Sequence, residues 1–260
     1  MITFKDNEYE VIDAHIHPFV DSENNIALYR HPATGAELVA EMKRCHIDHA
    51  CGSVVRSAHI TDFAEIRKFN DDALKFQAQY PDFYYPGISV NAGFAEESCR
   101  EIERMHFEHK VNYIGELVCY VSDCEKYSDE RFNPIYDLAV QLDLPVNIHQ
   151  ADIADLHLLM ERFPKLKLVM AHPDDFGVYD ARLELMKKYE TVHLDLSGNG
   201  LYRWGMLRHG IDLVGKERFL FGSDFPICSC GMMLQGVLME DLTDAELKAV
   251  LAGNFRRLYK

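Results

Sequence analysis

The residues best suited to chemistry in this sequence are histidines and acids near the ends of short apolar segments. His15 and His17 stand two positions apart in Val11–His17, and Asp13 precedes them at the same spacing. Strand side chains alternate between two faces, so these three are expected to point inward, opposite Ile12 and its apolar neighbours. Buried polar groups are costly unless they are paired or bind an ion. The segment therefore predicts a polar cluster rather than an ordinary core strand.

The same inversion of faces recurs in three later segments. The residues expected to face inward there are Asn147 with His149, Met170 with His172, and Gly222 with Asp224. The residues expected to face outward are Val146 with Ile148, Val169 with Ala171, and Phe221. Imidazoles and carboxylates that meet at one edge suit zinc or a related divalent ion. Several such residues in phase predict a metal site, whereas a lone histidine would predict a hydrogen-bonded core residue.

These segments belong to a repeated unit of an apolar run, a polar turn and a helical stretch. The candidate strands are Val11–His17, Ala50–Arg56, Tyr84–Asn91, Val111–Leu117, Pro145–His149, Leu166–His172, Val192–Ser197 and Phe219–Asp224. Two capping boxes, at Thr34 with Glu37 and at Thr243 with Glu246, predict helix starts. Further helices are expected over Asp62–Tyr80, Ala95–Phe107, Arg131–Leu142, Asp152–Phe163, Val178–Tyr189 and Asp244–Leu251.

Alternating strands and helices with short connections favour parallel strands and helical crossovers. Eight such units in 260 residues predict an α/β protein with a single (β/α)8 TIM-barrel domain, residues 1–260. An open doubly wound sheet is the alternative. In a barrel, the polar residues above would lie at the carboxyl ends of the strands, where barrel active sites are found.

Composition limits the partners. The chain has 27 basic and 42 acidic residues, a net charge of −15, which disfavours nucleic acid. It has no apolar run of about 18 residues, so no membrane span is expected. The first ten residues do not resemble a secretory signal, and the seven cysteines show no framework spacing, so we expect reduced thiols in the cytoplasm. A small-molecule substrate is the expected partner, and a homodimer stays open.

A set of ordered motifs resembles those of the amidohydrolase superfamily, and most closely its amidohydrolase-related (amidohydrolase 2) family. The motifs are Val11–His17, Ile114–Leu117, Pro145–His149, Val169–Pro173 and Leu220–Pro226. The resemblance covers the chain from Val11 to Tyr259. It implies a metal-dependent barrel enzyme in which a divalent ion, zinc in the first place and manganese in the second, is bound by four residues. These implied ligands are His15, His17, His149 and Asp224.

One position departs from the pattern of many binuclear members, which carry a carboxylated lysine at the end of the fourth strand. This chain has Glu116 there. By the resemblance, Glu116 either bridges two metals, as in TatD-like relatives, or serves as an acid or base beside one ion. His172 is then a ligand of the second metal, or it polarises the substrate carbonyl or orients the water. We expect one tightly held metal rather than two.

The expected reaction is hydrolysis of a C–N or C–O acyl bond in an amide, lactone or ester. A bound divalent ion lowers the pKa of water to about 7, and Asp224 can accept the water proton and pass it to the leaving group. The alternative is a decarboxylase or hydro-lyase of a small aromatic or unsaturated acid, with Arg56 as anchor for the carboxylate. Arg56 is otherwise a solvated arginine. A non-catalytic, metal-stabilised binding barrel is the remote alternative.

Several other residues carry weaker signals. His193, Asp195 and Ser197 share one phase and predict a hydrogen-bonded layer behind the ligands. Cys228 and Cys230 are expected to pack in a loop rather than to bind metal. Residues expected near the mouth of the barrel, with no ranking among them, are Asn91, Tyr120, Asp174, Asp175, Asn199 and Phe225.

Overall fold

The computed structural model describes residues 1–29, 31–56 and 58–260, and the side chain of Tyr120 lies outside this description. An N-terminal hairpin consists of β1 (Ile2–Phe4) and β2 (Asn7–Tyr9). The later strands of the described residues are β3 (Ile12–Asp13), β4 (His49–Gly52), β5 (Tyr84–Pro86), β6 (Ile114–Leu117), β7 (Val146–Ile148), β8 (Leu168–Met170), β9 (Val192–Asp195) and β10 (Phe219–Leu220).

The later strands form parallel sheets that close into a ring. One sheet has the order β3-β4-β5 and the other the order β6-β7-β8-β9-β10. Parallel bridges join the two sheets at both edges, between Ile88 and Ile114 and between Ile16 and Phe225. Each strand from β3 to β10 therefore has a neighbour on both sides. The predicted TIM barrel is confirmed, and the open doubly wound sheet is wrong.

Helices alternate with these strands. They are α1 (Gly35–Arg44), α2 (Phe63–Gln79), α3 (Ala95–His109), α4 (Cys119–Ser122), α5 (Asn133–Gln141), α6 (Ile153–Arg162), α7 (Phe176–Lys188), α8 (Met206–Val214), α9 (Cys230–Met239), α10 (Asp244–Lys248) and α11 (Asn254–Leu258). Their apolar side chains pack with those of the strands in one continuous core. No helix in the described ranges is long and apolar enough to cross a membrane.

The two predicted capping boxes differ in detail. At α10 the box is complete, because Thr243 accepts from the Glu246 N–H and Glu246 accepts from the Thr243 N–H. At α1, Thr34 accepts from the Glu37 N–H at 3.2 Å. The Glu37 carboxylate instead accepts from the N–H of Ala33, one residue before the cap, at 2.7 Å. Both helices begin where the boxes predict.

The strand register corrects the predicted phase of β8. Side chains that are paired across a parallel ladder share a face, and Val169 pairs with both Asn147 and His193. Because Asn147 contacts the site from the inner face, Val169 faces inward and Met170 faces outward, the reverse of the prediction. His172 lies beyond the ladder, with a left-handed φ of 64°. It therefore reaches the site through an irregular backbone and not through strand alternation.

A similar correction applies to the first barrel strand. Ile12 and Ala14 belong to a cluster with Val169 and Leu220, which come from other strands, so both pack inside the ring rather than against the helices. Ile16 packs in the outer core, as expected. The ladder ends at Asp13 and the chain bends at Ala14, and this bend shifts the alternation by one residue. The residues after the bend reach the inner face as predicted, but for a different physical reason.

Candidate metal centre

Two imidazoles and two carboxylates face one another at the carboxyl ends of the barrel strands. The Nε2 atoms of His15 and His17 lie 3.4 Å apart. Oε2 of Glu116 lies 3.5 Å from the first and 3.4 Å from the second. Oδ1 of Asp224 lies 3.8 Å and 3.3 Å from the same two atoms. All four side chains are almost completely buried, so the atoms converge on one small, dry space.

The other ring nitrogen of each histidine, Nδ1, already forms a hydrogen bond. Nδ1 of His15 donates to Oδ2 of Asp195 at 3.0 Å, and Nδ1 of His17 donates to the carbonyl of Ser53 at 3.2 Å. A neutral imidazole that donates from Nδ1 has its lone pair on Nε2. When both imidazoles are neutral, as they must be to bind a metal ion, both lone pairs point toward the shared space, which is the arrangement that oriented metal ligands have.

A second group of ligand atoms adjoins the first on the other side of Glu116. Oε1 of Glu116 lies 2.8 Å from Nδ1 of His149 and 3.7 Å from Nε2 of His172. These two nitrogens are 3.2 Å apart. The two carboxylate oxygens of Glu116 thus face different histidine pairs. Each trio, His15 with His17 and Glu116 or His149 with His172 and Glu116, has its ligand atoms within 4.8 Å of one another.

The position of Glu116 depends on the glycine before it. The ladder between β6 and β7 shifts between Ile114 and Leu117, so an extra residue is accommodated there. Gly115 has a φ of 99°, and a Cβ at this position would lie 2.2 Å from the carbonyl oxygen of Asn147. Only glycine fits this bulge. The bulge turns the Glu116 side chain into the site.

Asp195 links the histidines from behind. Its Oδ2 accepts from Asn147 Nδ2 at 2.9 Å as well as from His15, and its Oδ1 accepts from the N–H and hydroxyl of Ser197. The Ser197 hydroxyl in turn accepts from Nδ1 of His172 at 3.0 Å. The network therefore also leaves the lone pair of His172 Nε2 pointing into the site. The hydrogen-bonded layer expected at Asp195 and Ser197 is present, whereas His193 bonds to the carbonyl of Thr191.

The charges in the cluster stabilise one another. Burial opposes protonation of His15, yet the Asp195 and Glu116 carboxylates raise its pKa well above the ordinary value. Burial likewise opposes the charged form of His17, but hydrogen bonds with Asp224 and Glu116 raise its pKa to about 9. Burial would raise the pKa of Glu116, but His15 and the other histidines hold it well below its usual value. Such a set of acids and imidazoles favours positive charge in its centre.

The donor set fits a divalent metal ion. Imidazole nitrogens suit zinc and carboxylate oxygens suit manganese, and both kinds of donor meet here. The ligands are oriented by Asp195 and Ser53 from outside the cluster, which is how proteins fix the tautomer of metal-binding histidines. The residues at the ends of β3 and β10 and in β6 can therefore hold the ion that the motifs predict. Which of them bind it, and whether there are one or two ions, stay predictions.

A cavity of about 540 Å³ opens onto this centre. His149, His172 and Asp224 line its inner end. Leu201, Tyr202, Met232 and Met233 supply large apolar surfaces to its wall, and Gln150 also lines it. Asn199, expected near the mouth, also lines the cavity. The site thus combines a polar, metal-binding end with a body suited to an apolar ring.

The structure does not bring Arg56 to this cavity. Strand β4 ends at Gly52, four residues earlier, so the alternation that predicted an inward Arg56 does not extend that far. The Arg56 guanidinium forms an ion pair with Glu65 of α2. Its role as a carboxylate anchor stays a prediction. Among the other expected mouth residues, Asn91 is buried and caps the turn at Gly93.

A further residue that supports the centre, Arg182, was not predicted from the sequence. Arg182 of α7 is buried and donates to the carbonyl oxygens of Ala171 and His172. It fixes the irregular segment that carries His172. The only signal in the sequence is an arginine at a helix position where an apolar residue is expected, which is too weak to find it alone.

Comparisons with known proteins agree with this architecture. The family model described as amidohydrolase matches residues 12–260, so the chain belongs to that family. A search of curated proteins gives no match. Family membership makes the protein a metal-dependent enzyme.

Solved structures of similar fold include several decarboxylases. 5-Carboxyvanillate decarboxylase from Sphingomonas paucimobilis is 18% identical, over 97% of this chain and 99% of that chain, with a TM-score of 0.75. 2,6-Dihydroxybenzoate decarboxylase from Rhizobium is 16% identical over 97% and 99%, with a TM-score of 0.76. Dihydroxybenzoic acid decarboxylase from Polaromonas sp. JS666, with bound manganese and 2-nitroresorcinol, is 16% identical over 97% of each chain, with a TM-score of 0.74. At these identities the likeness shows the fold.

Proposed function

We propose that this member of the amidohydrolase family is a metal-dependent decarboxylase of a small aromatic carboxylic acid. The observation that carries the proposal is the cavity of about 540 Å³, whose lining combines His149, His172 and Asp224 with several large apolar side chains. Its volume is in the range of pockets that hold ligands of this size. The decarboxylases of similar fold support the same choice over hydrolysis, the reaction favoured by the motifs alone.

The apolar wall favours loss of carbon dioxide for a physical reason. Met232, Met233 and Leu201 can contact an aromatic ring through dispersion and sulfur–aromatic contacts. Loss of the charged carboxylate leaves a neutral aromatic product and neutral carbon dioxide, and both suit these apolar surroundings better than an ion does. A ring held by this wall would present its carboxylate to the polar end of the cavity.

The residues at the polar end can move the proton that the reaction needs. Asp224 faces the histidines through Oδ1, so a proton carried on its other oxygen can be donated to the ring carbon that bears the carboxylate. The bond from that carbon to the carboxylate then breaks, its electron pair returns to the ring, and carbon dioxide leaves. Asp224 regains a proton from water. A bound divalent ion would supply Lewis-acid polarisation of the substrate's oxygens.

His172 suits a second role at the same end of the cavity. Burial lowers the pKa of its imidazole, so it is neutral near pH 7. Its Nε2 lone pair points into the site because Nδ1 donates to Ser197. A neutral imidazole in this position can accept a hydrogen bond from a hydroxyl beside the substrate carboxylate.

Carbon dioxide release by the metal-loaded protein tests the proposal. Hydroxybenzoates, together with lactones and N-acyl compounds, would be assayed for gas evolution and for acyl hydrolysis in parallel. We expect gas from at least one aromatic acid, and a loss of at least about a hundredfold in kcat for Asp224→Asn. Asp137→Asn, which changes an exposed carboxylate of α5 that does not line the cavity, is the matched control and should keep full activity. Acyl hydrolysis without gas would refute the decarboxylase.

Hydrolysis is the second candidate, and one observation favours it. Glu116 presents a separate oxygen to each histidine pair, as a carboxylate does when it bridges two ions. Two ions near 4 Å apart can activate a water between them. The hydrolase would bind two ions, whereas the decarboxylase would bind one. Metal analysis giving two equivalents, with His172→Ala losing one of them, would favour the hydrolase.

For the decarboxylase we propose one tightly bound ion, with His15, His17, His149 and Asp224 as the expected ligands. The identity of the ion stays open between zinc, the first expectation, and manganese. Elemental analysis of the purified protein should give close to one equivalent. His15→Ala should remove it, and a variant that retains the full equivalent would show that His15 is not a ligand.

A further inference from the structure

Two cysteines meet outside the metal centre, in the segment that follows β6. The Sγ atoms of Cys119 and Cys124 lie 3.2 Å apart. Cys119 begins α4, and Asp123 at its end has a left-handed φ of 54°, which turns the chain back on itself. The N–H of Cys124 donates to the carbonyl of Cys119 at 3.1 Å, so the backbone holds the two side chains together.

This pair is accessible from a cavity of its own. Both cysteines are half-buried. They line a cavity of about 430 Å³ together with His59, Asp123 and Arg131. A small oxidant can therefore reach the sulfur atoms without entering the substrate cavity. None of these residues takes part in the proposed reaction.

We propose that Cys119 and Cys124 form a site of reversible oxidation, at which a hydroperoxide converts the dithiol to an intramolecular disulfide. A disulfide has a sulfur–sulfur distance of about 2.05 Å. The side chains need to approach by only about 1 Å, which small changes in side-chain torsion supply. Cys119 and Cys124 are five residues apart in sequence, so a single turn of chain joins them.

The oxidation proceeds in two balanced steps. The Cys119 thiolate attacks one oxygen of hydrogen peroxide, the O–O bond breaks, and hydroxide leaves with a Cys119 sulfenic acid formed. The sulfur of Cys124 then attacks Cys119 Sγ and displaces the sulfenic oxygen as water. In sum, two thiols and one peroxide give one disulfide and two water molecules, and a dithiol such as dithiothreitol reverses the change.

The surroundings favour Cys119 as the attacking thiolate. The hydrogen bond from Cys124 lowers the pKa of Cys119 to about 7, against the effect of burial. The Tyr127 hydroxyl adds a smaller contribution in the same direction. Cys99 is a suitable comparison, since it is also half-buried and burial raises its pKa. At neutral pH we expect Cys119 to react with peroxide about ten times faster than Cys99.

The pair also adjoins the backbone of the metal centre. Cys119 is three residues beyond Glu116. The Tyr127 hydroxyl donates to the carbonyl of Leu117 at 2.8 Å, and the same carbonyl accepts from the N–H of His149 at 2.9 Å. The oxidised segment would therefore be anchored directly beside two residues of the centre.

Mass spectrometry of the peroxide-treated, metal-loaded protein tests the proposal. Trypsin releases Val111–Lys126, a peptide that contains both cysteines and no other. We expect this peptide to become lighter by two hydrogen atoms, to resist alkylation and to recover both thiols with dithiothreitol. Cys119→Ser and Cys124→Ser should each abolish the change, whereas Cys99→Ser should leave it as in the wild type. Cys124→Ala serves as a second variant at the same position. Circular dichroism of each variant shows whether it is folded, so that a missing disulfide is not mistaken for an unfolded protein.

Three outcomes would overturn the proposal. They are irreversible sulfinic acid at Cys119 without a disulfide, a disulfide that joins other cysteines first, and oxidation of Cys99 as fast as that of Cys119. Each would show that proximity in the structure does not make this pair a reversible site.

Discussion

Replacement of Asp195 by asparagine removes a carboxylate that orients two histidines of the metal centre. All the partners of Asp195 are donors: His15 and Asn147 at Oδ2, and the N–H and hydroxyl of Ser197 with the N–H of His172 at Oδ1. The amide group of asparagine must place an NH2 against one of these sets. If it faces His15, the imidazole must accept at Nδ1 and carry its proton on Nε2, where it cannot bind metal.

The other orientation of the amide disturbs His172 instead. The NH2 group then faces Ser197, whose hydroxyl can no longer donate to residue 195 and turns its proton toward His172. In the first orientation His15 takes the wrong tautomer for a metal ligand. In the second His15 keeps its tautomer but loses the carboxylate charge that raises its basicity, and His172 takes the wrong tautomer. Loss of a partner that orients a metal ligand weakens metal binding by about 10–100-fold, or about 1.4–2.7 kcal/mol. We expect Asp195→Asn to fall in this range.

Competition between the metal-free protein and a fluorescent chelator measures this affinity. Asp72→Asn is the matched control, because Asp72 is also a fully buried carboxylate but pairs with Lys68 and Lys75 of α2, away from the centre. The control should lose stability and keep its metal affinity. An Asp195→Asn protein that binds metal within twofold of the wild type would refute the assigned tautomers.

Two further predictions concern pH and backbone. The pKa of His17 is raised from 6.5 to about 9, so its charge stabilises the metal-free protein fully below pH 6.5, and this contribution is lost as pH rises through 9. A metal ion must displace that proton before it can bind His17. Between pH 6.5 and 9 the metal affinity should therefore rise about tenfold per pH unit for each proton released, and then become constant. A metal affinity that does not change with pH would contradict the raised pKa. Gly198 has a φ of 63°, and its Cβ would lie 2.3 Å from His172 Nδ1. Gly198→Ala should lower the free energy of unfolding by about 1–3 kcal/mol, measured by thermal unfolding, and should reduce kcat. Gly177→Ala, whose Cβ meets nothing within 4 Å, should do neither. If the two variants behave alike, the close packing of Gly198 against His172 is not needed.

The sequence was sufficient for the barrel because period-2 apolar runs alternate with helical stretches. It was less reliable on strand length, since the ladder of β3 covers only Ile12–Asp13 of the segment Val11–His17. Beyond Asp13 the chain continues through single hydrogen bonds, such as Ile16 N–H to Cys51 O at 3.0 Å. Alternation holds only within a ladder. The phase was set by histidines that lie beyond the ladders, so it misassigned Ile12 and Val169 inside them, although the histidines still came inward.

Some elements lack one of the sequence signals that mark a strand or a helix. The hairpin of β1 and β2 turns through Lys5 and Asp6, both at positive φ, where glycine or asparagine is the usual mark. Helix α9 is apolar along most of its length, so it lacks the amphipathic pattern that marks a surface helix. Helix α8 follows Gly205 and has no side-chain cap. The Glu116 carboxylate lies between two histidine pairs because of a bulge, and a bulge cannot be read from spacing alone.

Anomalous diffraction from crystals of the metal-loaded protein tests the central claim most directly. We expect a peak about 2.0–2.3 Å from Nε2 of both His15 and His17, with the contacts completed by His149 and by a carboxylate oxygen of Asp224 or Glu116. A peak elsewhere on the chain, or side chains closed onto one another in a fully loaded crystal with no ion between them, would contradict it.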